Sequence, residues 1–84
     1  MNEESAKKAL LHKLTATDRT TIIDEVSGTF GVPHYDYNIK AIEAWKKFGM
    51  VEEVDVWFSD SLYVDISTLR LTENGESIVG FHLL

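Results

Sequence analysis

Residues 51 to 69, VEEVDVWFSDSLYVDISTL, restrict the fold most, because apolar and polar side chains roughly alternate there and β-branched and aromatic residues are frequent. Ser59, Asp60 and Ser61 stand in the middle as short polar residues suited to a reversal. The pattern predicts a β-hairpin with strands near 51 to 58 and 62 to 71. With the reversal centred on Asp60, Val54, Val56, Phe58, Leu62, Val64 and Ile66 form an apolar inward face. Glu53, Asp55, Trp57, Tyr63, Asp65 and Ser67 then form the outward face, and Val54 lies opposite Ile66. A slip of one residue would bury the acids, so the pattern specifies its own register. The stretch holds five acids and no Lys or Arg.

The chain before the hairpin has helical periodicity. Ala6, Leu10 and Leu14 recur one turn apart, with Leu11 widening the stripe, which predicts a helix from about Glu3 to Leu14. Glu3 and Glu4 at its start and Lys13 at its end suit the helix dipole. Thr17 is placed as the N-cap of a second helix that ends near Gly28 and buries Ile22, Ile23 and Val26, with Phe30 folding back. The segment SGTFGVPHYD, with two glycines and a proline, is expected to be a connector. A third helix starts with Asp36 as cap and runs to Phe48, where Gly49 stops it. Ile39, Ile42, Trp45 and Phe48 share its inward face. The final TENGESIVGFHLL supports two alternatives: a third strand after an Asn74-Gly75 turn, or a short helix capped by Thr72 with Ile78, Val79 and His82 inward.

At 84 residues, 44% apolar and 26% charged, the chain fits one folded domain, residues 1 to 84. Cysteine is absent, which excludes disulfides and thiolate metal sites. No apolar run approaches a membrane span or a signal peptide, so a soluble cytoplasmic protein is expected, with no membrane partner. The net charge of −6 is unevenly distributed. Residues 1 to 50 hold seven bases and seven acids, whereas residues 51 to 84 hold Arg70 against seven acids.

Three helices, a glycine and a hairpin, in that order, resemble the winged helix-turn-helix superfamily. The residues that carry the resemblance are AIEAWKKFGMVEEVDVWFSDSLYVDISTLRLTENGESIV, 41 to 79. Within them Phe48, Gly49, Met50, Val51 and Glu52 match the Gly-apolar-Val/Ile-Glu exit from a recognition helix. Leu71, Thr72, Glu73, Asn74 and Gly75 match the Leu-Thr-x-x-Gly that follows the second wing strand. The resemblance implies an α+β winged-helix domain: three N-terminal helices, an antiparallel hairpin wing, then a short C-terminal helix or strand. An α+β domain of three helices and a three-stranded meander is the competing architecture.

The resemblance further implies that the third helix enters the major groove of double-stranded DNA. On its exposed face, Tyr37, Asn38, Lys40, Ala44 and Lys47 combine ammonium groups for phosphate with side chains able to reach base edges. Lys46 and Arg19 are expected to add phosphate contacts. Solvated surface lysines are the plain alternative. The acidic hairpin opposes phosphate, so the wing is expected to point away from DNA or to meet another partner. Trp57 and Tyr63, rimmed by Asp55 and Asp65, have the composition of a protein-binding patch for a basic partner across residues 53 to 65. A simple cross-strand aromatic pair explains them equally well.

The first expectation is therefore a small DNA-binding transcriptional regulator acting as a homodimer through ESIVGFHLL. The alternative is a protein-interaction module, or a DNA mimic whose acids imitate phosphates. No catalytic motif, P-loop or dinucleotide fingerprint occurs, so neither an enzyme nor a cofactor is expected. His12, His34 and His82 lack zinc spacing, and Asp55 with Asp65 lacks the further oxygen ligands a cation needs. No metal is expected.

Overall fold

A computed structural model describes residues 1–15, 18–54 and 65–83, the last three by their backbone alone. The N-terminal stripe forms α1, Glu3–Leu14, in which Asn2 caps the helix by accepting from Ser5 N at 2.8 Å. Ala6, Leu10 and Leu14 are buried as the periodicity requires.

The second expected helix does not form. In its place stand β1, Ile22–Asp24, and β2, Thr29–Pro33. The run Thr20, Thr21, Ile22, Ile23 is β-branched and stiff at χ1, which favours extended backbone over helix. Asp24 then closes a turn: its Oδ1 accepts from the backbone N–H of Val26 and Ser27 at 3.1 and 3.3 Å. Gly28 completes the turn at φ +70. Thr17, the expected cap, lies outside the described residues. Ile23 and Val26, expected inside, are exposed, Val26 fully.

The expected connector also becomes regular structure. All five residues of β2 are buried, since β2 pairs with β1 on one side and with a later strand on the other. Pro33 ends the strand, where a missing N–H interrupts no ladder.

The helix α2, Asp36–Lys47, agrees with the expected boundaries within a residue, with Tyr35 rather than Asp36 as its N-cap. Its end is a Schellman motif: Met50 N donates to Trp45 O at 2.8 Å and Gly49 N to Lys46 O at 3.2 Å, with Gly49 at φ +68. The strands β3, Val51–Glu53, and β4, Ile66–Leu71, follow as an antiparallel pair. The last segment is α3, Glu73–Leu83, so the helical alternative holds; Thr72 Oγ1 accepts from Gly75 N at 3.1 Å.

The protein is thus an α+β fold with a sheet in the order β1-β2-β4-β3, every neighbouring pair antiparallel. The element order differs from the expected winged helix, because a hairpin stands where its second helix was placed. Register also differs: Val54 N donates to Thr68 O at 3.0 Å, and Leu69 faces Glu53. The apolar face is displaced as well. Phe30 and Leu69 are opposite each other, Val51 opposes Leu71, and these carry the sheet's share of the core. Val54 and Ile66, expected inside, lie on the other face and are partly exposed. Pairing with β2 explains this, because Phe30 and Val32 must share a face with the core residues of β4.

Trp45 is completely buried at the centre of the core, and its Nε1 donates to Ala6 O of α1 at 2.8 Å. The start of α3 is stitched to the end of α2. Thr72 Oγ1 donates to Gly49 O, Thr72 N donates to Met50 O at 3.1 Å, and Asn74 Nδ2 donates to Phe48 O at 3.2 Å. Ile78 and Val79 pack into this core, so two apolar residues expected at a dimer contact are used within the chain.

Candidate functional site

Because α2 packs against both α1 and β3, its buried arc is wider than one stripe. Asn38, Ala41, Ile42, Ala44 and Trp45 are all buried. This corrects two expected base-reading positions: Asn38 is fully buried and Ala44 is 7% exposed. Ile39, expected inside, is instead exposed.

Tyr37, Lys40 and Lys47 are exposed, as is Arg19 in the turn before β1. Lys40 and Lys47 flank Ala44 along an open hollow of about 530 Å³ that Met1, Ser5 and Glu43 complete. Neither lysine forms an ion pair among the described residues, whereas Lys46 is tied to Glu53 of β3 at 3.4 Å. Arg70 similarly meets Glu52 at 3.8 Å. Pairs this exposed contribute little to stability. Asp65 is exposed, and its carbonyl accepts from His34 N at 2.8 Å. Trp57, Tyr63 and Asp55 lie outside the described residues.

A second cluster is one that sequence reasoning misses. Lys13 is 4% exposed, and its Nζ lies 2.6 Å from Asp18 Oδ2. A signal for it exists: Lys13 occupies the i+7 position in the stripe that Ala6, Leu10 and Leu14 define, where a charge is tolerated only beside a counterion. Asp18 is the acid that answers it. Its Oδ1 also accepts from Thr20 N at 2.9 Å and from Thr20 Oγ1 at 2.6 Å. His12 Nε2 lies 3.9 Å from Oδ2, and the Tyr37 ring covers the Lys13 ammonium at 5.0 Å from its centroid. Tyr37 in turn stacks on Tyr35 at 5.9 Å.

His12, Lys13, Asp18, Thr20 and Tyr37 line an open hollow of about 580 Å³. Asn38 is part of its wall; its Nδ2 donates to Pro33 O at 2.9 Å, while its buried Oδ1 has no hydrogen-bond partner among the described residues. Among the described residues, no three His, Cys, Asp or Glu side chains are grouped to hold a metal. No helix of the described residues is long and apolar enough to cross a membrane.

Burial by itself raises the carboxyl pKa of Asp18, but the hydrogen bonds from Lys13 and Thr20, with the Lys13 charge, outweigh it and lower the value from 3.8 to about 2. A group with a depressed folded-state pKa stabilises the fold above its unfolded pKa and loses that contribution as pH falls through the folded value. Stability should therefore decline as pH falls from about 4 toward 2. In Asp18→Asn that part of the acid sensitivity should disappear, at a cost of about 3–5 kcal/mol at neutral pH because Lys13 is left buried and unpaired. Urea melts across this pH range check both; an unchanged acid profile in the variant removes Asp18 from the account. Comparison with family models, with curated proteins and with solved structures finds no match to this chain.

Proposed function

We propose that the chain is a nucleic-acid-binding protein that holds the phosphate backbone of DNA along the exposed edge of α2. The observation that carries this reading is the placement of Lys40 and Lys47, both exposed, both without an acidic partner among the described residues, and both on the rim of one hollow. Seven residues of helix separate them by about 10 Å along the axis. That span matches about three phosphates of one strand. Tyr37 continues the same edge, and Arg19 is a further exposed cation. Support for a winged-helix relationship comes from the order after Ala41: helix, Gly49, paired strands, C-terminal helix. In this reading the acidic strand β3 stays clear of the duplex, two chains associate to double the contacts, and the role is transcriptional regulation.

Gel shift at low salt is the direct test. Binding should weaken with salt at a slope of about −2 to −3 in log–log form, because two or three phosphates are neutralised per chain. Lys40→Gln with Lys47→Gln should lower that slope by about 2. A chain that fails to shift any duplex at low salt removes the proposal.

The exposure of Glu52, Glu53 and Asp65 favours a second reading, in which the acidic hairpin meets a basic protein. Trp57 and Tyr63 belong to that surface by sequence. Charge reversal of Glu52 and Asp65 should then abolish capture of the partner while leaving any DNA shift intact.

A further inference from the structure

Of the two edges of the sheet, only one is guarded. An edge strand presents unpaired N–H and C=O groups, and folded proteins blunt it with charge, proline, a bulge or a covering element. At one edge β3 carries the exposed Glu52 and Glu53. At the other, the approach to β1 and its first residues read Thr20, Thr21, Ile22, Ile23, without a charge or a proline. The register of β1 with β2 runs through Ile22, Ile23 and Asp24 without a bulge, and among the described residues no strand lies beyond it. The ladder fixes which of its groups are free. His34 N donates to Asp65 O, so Phe30, Val32 and His34 point their backbone groups at β4, while Thr29 and Gly31 point theirs at β1. Asp24 and Ile22 answer Thr29 and Gly31. The backbone groups of Ile23, and of Thr21 before it, therefore face outward. The side chains are equally unpartnered: Ile23 is 50% exposed, and Ile22 stands opposite Gly31, which offers it no cross-strand contact.

We propose that β1 pairs antiparallel with β1 of a second copy of this chain across a twofold axis at Ile22, joining two sheets into one. This centre sets Thr21 of each copy against Ile23 of the other, so the outward N–H and C=O groups of both strands satisfy one another. Ile22 meets the second copy's Ile22, the apolar neighbour that Gly31 does not supply. Just beyond the paired residues, the exposed Arg19 of each copy lies at the same end as the exposed Glu25 of the other. A centre one residue later would set Asp24 against Ile22 and Arg19 against Ser27. A second copy is the occupant that fits, because the segment complements itself in hydrogen bonding, apolar contact and charge about one axis. Few residues pair, so the dimer is weak and exchanges with monomer. Arg19 is then withdrawn from phosphate, and the DNA reading rests on Lys40 and Lys47, which lie on α2 and take no part in this contact.

Sedimentation equilibrium of the full chain without DNA, from micromolar to millimolar concentration at physiological salt, should show monomer and dimer in exchange. Amide hydrogen exchange followed by NMR over the same range identifies the surface. The Ile22 amide, bonded to β2, should be protected throughout, whereas the Thr21 and Ile23 amides should gain protection only as concentration rises. Ile23→Lys, with the fold checked by circular dichroism, puts a charge into the seam and should weaken the dimer about tenfold or more. Glu25→Arg faces Arg19 with a like charge and should weaken it by a smaller factor. Lys40→Gln with Lys47→Gln should leave it unchanged. A chain that stays monomeric at millimolar concentration overturns the proposal. So does a dimer that Ile23→Lys leaves intact, or one in which the Thr21 and Ile23 amides do not respond, because it uses another surface. Dimerisation without a shift of duplex DNA removes the DNA reading alone, and a DNA shift by a chain that never dimerises removes this inference alone.

Discussion

Trp45→Ala should lower stability by about 3–5 kcal/mol, the range for emptying a large aromatic site in a packed core. The indole is fully buried and touches the element farthest from it in sequence, through its bond to Ala6 O. Truncation therefore opens a void and deprives that carbonyl of its donor. Small domains are stable by only about 5–15 kcal/mol, so the variant should be substantially unfolded or melt roughly 15–30 °C lower. Trp45→Phe separates the two contributions. It retains much of the volume, and its additional loss from the missing N–H should be about 0.5–1.5 kcal/mol. Thermal melts of the three proteins decide the matter: an alanine variant within about 1 kcal/mol of the parent would show that α1 and α2 are not joined through this side chain.

Gly75→Ala is expected to be strongly disruptive although it adds only a methyl group. A Cβ at this position would stand 2.0 Å from Met50 O and 3.0 Å from Leu71 Cδ2. The first of these is backbone, fixed by the bond that Thr72 N donates to the same carbonyl, so it cannot move aside alone. The start of α3 must lift from the loop that ends α2, at a cost of about 1–3 kcal/mol or more. Gly80→Ala is the control, since nothing lies within 4 Å of a Cβ there. In mid-helix it should stabilise by up to about 1 kcal/mol. Opposite signs in denaturant melts are the expected result, and equal small effects would mean that the α2–α3 junction is looser than described.

The elements governed by local rules are legible in the order of the residues alone. The stripe of Ala6, Leu10 and Leu14 specifies α1, and Gly49 marks the end of α2 because only a left-handed residue closes that Schellman motif. Thr72 offers a correct helix start for α3, yet Asn74-Gly75 offers an equally good turn. The choice is made by contacts with Gly49, Met50 and Phe48 that no local pattern contains. The hairpin of β1 and β2 is illegible for the same reason. Gly31 and Pro33 break a strand in isolation, but β2 is held by partners on both sides. The face of β4 follows from that pairing, not from the alternation around Asp60. Of the expected DNA-reading residues, Lys40, Lys47 and Tyr37 are exposed because they lie outside the double contact of α2. Asn38 and Ala44 lie inside it. Lys13 escapes notice because its place near a helix end gives it a sufficient electrostatic explanation, while its place in the apolar stripe demands another.

The interleaving of β4 between β2 and β3 has a kinetic side. The central ladder joins Thr29 to Arg70, so β2 and β4 cannot pair until the chain has closed a large loop around α2 and β3. Contacts this remote slow folding relative to a helical bundle of equal size, because the loop's entropy is lost before any pairing compensates it. A nascent chain that lacks residues beyond 65 leaves β2 without one neighbour. Such a chain can hold α1 and α2 as transient local structure, while the apolar side of its first hairpin waits for the last part of the sequence to arrive.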